Sequence, residues 1–395
     1  MTHKKTGCNP LELQEYRWDV FIAHDADSFR PLGLTYELFN RINPRDFPDK
    51  MQHGVRIMVD SNFSIADQES GQLTATSVFE PSTDPDALDN LSVWSGSGTR
   101  VDEREYLYYT GIAKSDLAEA ENPSDPRSLG VVPQRMFGAV SSDGGKQWKR
   151  LPKAPLVDLD SPDNLWYERS AQDNAVAGIV SVNSACRDPF VYRATEANNL
   201  FADDASEIAK GKYYMLFTAR VNSENEPTGI TNLHYRGCVG VAWAYSPEGP
   251  FILQEPILNL GIFSDMELPY LVMKNDRVYL FFSVQDHCID GRASTDVHFA
   301  KSIGIEPDKR RLYGYVFEPN FSKWVPMNDR GGLIDSPQGV YGIRVFQQPD
   351  APNKYGARGF FLPSNCERTD GFVDFSLTPL LRVEWNDDGT IRITL

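Results

Sequence analysis

Apolar residues along this chain come in short dense runs, bounded by stretches rich in Gly, Pro, Asp and Ser. Runs of that length between turn residues read as strands, because a helix needs about ten residues or more to bury a face. The clearest are 106–110, 212–218 and 277–283, each followed by a loop and a second strand at 136–142, 239–245 and 312–317. Helical periodicity is scarce after the first fifty residues, and segment 1–50 is expected to be partly helical or irregular and to pack on the rest.

The first two strand pairs close on similar material, SDGGKQW at 142–148 and SPEGPF at 246–251, and a last pair lies at 359–362 and 381–385. A strand pair with a tight polar turn and an aromatic beyond it, recurring along the chain, is the signature of a diverged propeller blade. With an opening unit around Asp19, the count comes to about five blades. A two-sheet sandwich has similar strand spacing. The long loops at 158–183 and 194–209 favour the propeller, whose blades tolerate insertions at the rim. No linker or low-complexity segment divides the chain, so one all-β domain over 1–395 is expected.

At 395 residues and 41% hydrophobic content the chain can bury a large core. A formal charge of -16 argues against nucleic acid or an anionic membrane as partner, since phosphate binding draws on Lys and Arg. The N-terminal residues hold no apolar stretch that reads as a signal peptide, and no later run is long enough to span a bilayer. Five cysteines, Cys8, Cys186, Cys238, Cys288 and Cys366, form no CxxC pair. They read as buried free thiols rather than a zinc site or disulfide scaffold, with a bridge such as Cys288–Cys366 unsupported by spacing. No cofactor or metal is expected.

Three distant segments each set a carboxylate among aromatic, basic or apolar residues: Trp18-Asp19, Arg187-Asp188-Pro189 and Asp265-Met266-Glu267. A propeller's innermost strands run along its axis, so remote residues can meet in one funnel. Carboxyl groups gathered in this way suffice for glycoside cleavage, one as nucleophile and one as acid then base. Each acid has a plainer alternative. Asp19 can cap a turn, and Arg187-Asp188-Pro189 can be a structural ion pair before an edge strand. Glu267 lies in an apolar run, Met266 to Tyr270, where a carboxyl is costly unless it is used. Trp18 and Trp94 can be apolar walls for a sugar ring, although core packing is the more frequent role of a Trp.

The segment from Trp18 to Asp27 resembles the opening motif of glycoside hydrolase family 68, the levansucrases and related bacterial β-fructofuranosidases. Val93-Trp-Ser-Gly-Ser97, Arg187-Asp-Pro189, Asp265-Met-Glu267, Leu312-Tyr-Gly-Tyr-Val316 and Gln338-Gly-Val-Tyr341 follow in the family's order. The resemblance covers nearly the whole chain. It implies a five-bladed propeller with a central acidic funnel, acting on sucrose or a related fructoside with a fructan, another sugar or water as acceptor. By it Asp19 is the nucleophile, Glu267 the acid/base and Asp188 the transition-state stabiliser. Trp18, Trp94, Ser95, Arg187, Asp265 and Tyr341 bind substrate, with Ser95 supporting Asp19 and Arg187 offsetting its charge. Relatives act outside the cell, although no export signal is visible here.

The departures gather on the leaving-group side. Leu268 stands where the family commonly has arginine, Asp265 where it has glutamate, and Gln285 near a second basic position that His287 or Arg292 could fill. Ser264 replaces a calcium-ligating aspartate of some relatives. Rival readings are a plain β-fructofuranosidase, an inverting arabinofuranosidase-like hydrolase, and an inactive carbohydrate-binding propeller.

Overall fold

The computed structural model describes residues 16–40, 55–60, 75–118, 133–152, 155–168, 185–201, 211–222, 236–263, 265–284, 311–319, 323–328, 331–337, 339–349, 351–361 and 377–395. Within them the chain is all-β, with one short helix, Lys114–Ala118.

The strands fall into runs of four, each an antiparallel meander. The first run is β1 (Tyr16–Asp25), β2 (Pro31–Asn40), β3 (Arg56–Asp60) and β4 (Ser77–Phe79). The next is β5 (Ser92–Val101), β6 (Arg104–Ile112), β7 (Arg135–Ser141) and β8 (Lys149–Arg150). These two share one eight-stranded sheet, because His24 and Asp25 of β1 pair in parallel with Thr99 and Arg100 of β5. Three separate sheets follow: β9 (Cys186–Arg193) to β12 (Ile252–Asn259) through β10 (Tyr213–Arg220) and β11 (Gly237–Ala244); β13 (Glu267–Lys274) to β16 (Lys323–Pro326) through β14 (Arg277–Val284) and β15 (Arg311–Glu318); and β17 (Val340–Gln348) to β20 (Ile391–Thr394) through β18 (Ala351–Phe361) and β19 (Leu381–Trp385).

The first strands of the runs touch in order: β1 with β5, β5 with β9, β9 with β13, β13 with β17, and β17 again with β1. Burial falls from the inside outward. All of β10 is buried, whereas the outer β12 and β16 are half-exposed. Inner strands are covered on both faces and therefore read as continuous apolar runs rather than alternating ones. The core lies between neighbouring runs: one apolar cluster joins β5–β7 to β9–β11, and another joins β1–β3 and β5 to Leu268, Tyr341, Phe360 and Leu377 from the later runs.

All strands expected from the sequence are present, with ends shifted by a few residues. The described residues of the opening segment differ from expectation. Residues 16–40 are two ten-residue strands paired with each other, rather than a helical or irregular piece. Their alternation is blurred because both faces of β1 are covered, so a period of two never appears in the sequence. Cys186 and Cys238 are buried free thiols, as expected; Cys8, Cys288 and Cys366 lie outside the described residues.

Each first strand carries one extra residue against its second strand, near its start. These bulges fall at Asp19, Ser95, Asp188-Pro189, Leu268-Pro269 and Gly342-Ile343. At four of them the backbone is left-handed, with φ of 53° at Asp19, 59° at Asp188, 56° at Leu268 and 60° at Gly342. For a non-glycine residue that conformation costs on the order of 1–3 kcal/mol, and it recurs where a bulge re-aims a side chain.

Candidate active site

The bulges define two equivalent positions. The residue before the bulge is Trp18, Trp94, Arg187, Glu267 or Tyr341; the bulge begins with Asp19, Ser95, Asp188, Leu268 or Gly342. Of the nine residues expected from the sequence to be catalytic or to bind substrate, all except Asp265 occupy one of these two positions. The inner strands touch one another, and Asp19, Asp188 and Glu267 are all buried, with the charges of Asp188 and Glu267 acting on Asp19.

A tight hydrogen-bond frame holds the acids. Arg187 Nη2 lies 2.7 Å from Glu267 Oε1 and 3.0 Å from Asp265 Oδ2, and its Nη1 donates to Gln134 Oε1 at 3.2 Å. Tyr341 donates its hydroxyl to Glu267 Oε2, so both oxygens of that carboxyl accept. Asp188 Oδ2 accepts from Thr218 Oγ1 at 2.9 Å and from the Leu268 amide at 3.0 Å, which leaves Oδ1 outside that frame. Thr110 Oγ1 donates to the Ser95 carbonyl at 3.1 Å and accepts the Asp188 amide at 3.0 Å, joining the second bulge to the third.

Burial dominates the electrostatics. Desolvation pushes the Asp19 carboxyl up to about 7; the Arg344 guanidinium and Ser95 pull it down, and the Asp188 and Glu267 charges push it further up. Ser95 stands beside Asp19, yet the geometry stops short of a formed bond: Asp19 Oδ1 and Ser95 Oγ are buried without a partner among the described residues. Asp188 is likewise raised, chiefly by burial, with Arg187 opposing. Asp265 moves the other way. Burial would raise it, but Arg220 and Arg187 flank it and hold it below the usual range.

Two expectations change. Arg187 is bound to Glu267 and Asp265 rather than serving Asp19, whose counter-charge is Arg344. Asp265 has both oxygens engaged, Oδ1 by Arg220 Nε at 3.0 Å and Oδ2 by Arg187. It acts as a brace for Arg187 in this structure. Leu268 turns its side chain into the core with Phe360 and Tyr341. Trp94 is half-buried, and its indole N–H has no partner among the described residues. The side chain of Trp18, and Ser264, Gln285, His287, Arg292 and Gln338, lie outside the described residues.

Sequence reasoning missed Arg344, Arg220, Thr218 and Thr110. The last three end or nearly end the strands 212–218 and 106–110, and a polar residue closing an apolar run was the available signal.

No family model matches the chain, and no curated protein sequence matches it. Solved structures do. An inulosucrase from Halalkalicoccus jeotgali bound to kestose superposes with a TM-score of 0.63 at 20% identity, over 96% of this chain and 87% of that one. The chain has a fold like that of glycoside hydrolase family 68. A levansucrase variant from B. megaterium gives a TM-score of 0.60 at 15% identity, covering 96% of this chain and 84% of that one. A Bacillus subtilis levansucrase variant in complex with oligosaccharides gives 0.59 at 13% identity, covering 100% and 90%. The sequence resemblance carried by short motifs thus meets a likeness of fold along nearly the whole chain.

Proposed function

We propose that this chain is a retaining fructosyl enzyme that cleaves sucrose or a related fructoside and passes the fructosyl unit to a fructan, another sugar or water. Its fold is read as a single five-bladed propeller domain, the eight-stranded sheet being two blades joined by the short parallel pairing of β1 and β5. The observation that carries the reading is the repeated bulge, which sets Asp19, Asp188 and Glu267 at equivalent or adjacent positions on three inner strands. A scaffold that accepts left-handed backbone at two buried aspartates gains nothing in stability from them.

In this reading Asp19 attacks the anomeric carbon and Glu267 gives its proton to the departing oxygen, leaving a fructosyl ester on Asp19. Arg187 and Tyr341, already aimed at the two oxygens of Glu267, pair with the carboxylate formed at that step. Glu267 then takes a proton from the acceptor, whose oxygen displaces Asp19. Asp188, its Oδ2 locked by Thr218 and the Leu268 amide, presents Oδ1 to sugar hydroxyls as the ring gains positive charge. The likeness of fold to an inulosucrase and levansucrases supports this class of activity.

A plain β-fructofuranosidase is the second reading, favoured by the leaving-group side. Leu268 packs into the core and Asp265 is bound by two arginines, so neither presents a free group to an acceptor sugar. Incubation of the purified protein with sucrose, with glucose and fructose followed separately, tests both. Glucose in excess of fructose means transfer, equal release means hydrolysis, and no release from sucrose or from any other fructoside overturns the proposal.

A further inference from the structure

Arg220 closes β10 and is buried, with its guanidinium turned to Asp265, two residues ahead of Glu267. Arg220 Nε lies 3.0 Å from Asp265 Oδ1, and Arg187 Nη2 lies 3.0 Å from Asp265 Oδ2. The same Nη2 lies 2.7 Å from Glu267 Oε1. An unbroken row of contacts therefore runs from Arg220 on β10 to Asp265, from Asp265 to Arg187 on β9, and from Arg187 to Glu267 at the start of β13.

The terminal nitrogen of a guanidinium carries two hydrogens in one fixed plane. Asp265 and Glu267 share that nitrogen of Arg187, so the place of the first carboxylate decides where the second hydrogen points. Of the acids around Arg187, Asp265 acts on it most strongly, ahead of Glu267 and Asp188. Asp265 in turn is held below the usual carboxylate range by its two flanking cations, Arg220 before Arg187. The backbone on either side of Glu267 is pinned as well: Thr218 Oγ1, on the strand that carries Arg220, lies 3.1 Å from the Met266 carbonyl, and the Leu268 amide donates to Asp188 at 3.0 Å. Without Arg220 the charge of Asp265 falls more fully on Arg187 and draws the guanidinium away from Glu267, because a buried carboxylate that loses one partner leans on the next.

Resting on the reading of Glu267 as the acid/base, we propose that Arg220 is a positioning residue for proton transfer to the leaving oxygen: by engaging Asp265 Oδ1 it keeps Arg187 aimed at Glu267. It acts through Asp265 and Arg187. The plainer alternative is an ion pair that serves the fold alone.

The test compares two donors that differ in their need for an acid. A fructoside with a sugar leaving group, sucrose first, departs only with a proton, whereas fructosyl fluoride departs without one. Since kcat/KM covers the steps up to formation of the fructosyl enzyme, it reports the acid role of Glu267 with the first donor and not with the second. In R220M the loss of kcat/KM on the sugar donor exceeds the loss on fructosyl fluoride by about tenfold or more, a part of the roughly 10²–10⁴-fold that a positioned acid contributes. R220K, which keeps a cation beside Asp265, recovers most of that difference. D265N added to R220M recovers part of it, since a neutral amide no longer pulls on Arg187. Thermal melts establish that the variants are folded, and R220Q takes the place of R220M if the latter is not. Equal losses on the two donors in the folded neutral variant overturn the inference, and so does a double variant no better than R220M. If the unchanged protein turns over neither fructosyl fluoride nor any fructoside, the proposed function falls and the inference with it, whereas equal losses sink the inference alone.

Discussion

Asp19 carries two penalties together, a left-handed backbone and a carboxyl 5% exposed that titrates at about 7 instead of the usual 3.8. The sign of the second follows from linkage. Because the folded value lies above the unfolded one, the protonated side chain is tolerated at low pH, and its contribution is lost as pH rises through about 7. Ionised Asp19 then costs the fold a few kcal/mol, roughly 4 at most for a difference of this size. Asn keeps the shape, suits a positive φ and bears no charge. D19N is therefore expected to abolish turnover and to melt at a higher temperature than the unchanged protein at pH 8, with the gain shrinking toward pH 4. A lower melting temperature at pH 8 would contradict this account of the site.

At the scale of the element, the bulges set the residues of the candidate site, and they depend on close approach of backbone. A Cβ built on Gly96 would lie 1.9 Å from the Tyr108 carbonyl oxygen, on the paired strand β6. G96A must push β5 and β6 apart where Trp94 and Ser95 are set. Denaturant unfolding is expected to register a loss of about 3 kcal/mol or more, together with lost activity; a cost below about 0.5 kcal/mol would mean the bulge is not rigid. This is also where the legibility of the sequence ends. Strands were readable because turn residues bound them, and the acids because each sits in a local motif. The bulges were not, since nothing in Trp18-Asp19 or Arg187-Asp188 announces an extra residue against a partner strand that comes later in the chain. Arg344 was hidden for the same reason: Leu268 and Tyr270, whose contacts hold it, lie on another strand. The opening strands were obscured by burial on both faces.

Across the whole molecule, the last run packs against the first. Leu268, Tyr341, Phe360 and Leu377 pack with Val20, Tyr36 and Leu38, and a charge couple is buried at the same seam. Glu37 of β2 is raised to about 6 by burial, with Arg358 of β18 as its main counter-charge; the two are 1% and 0% exposed. R358M leaves Glu37 with only Arg17, 3.4 Å away on β1, as counter-charge and is expected to cost about 1–3 kcal/mol by denaturant unfolding, part of which E37Q in the same chain restores. If the double variant is no more stable than R358M alone, the couple does not hold the seam. With the seam closed, the three acids share one site, and the central claim is that Asp19 becomes covalently loaded there. The most direct measurement mixes E267Q with a fructosyl fluoride, a donor whose departure needs no acid, and determines the mass of the quenched protein and its peptides. The account predicts one added fructosyl unit on the peptide that contains Asp19, and none when D19N is added to E267Q. An adduct elsewhere, or fluoride release with no adduct and an inverted product, would contradict it.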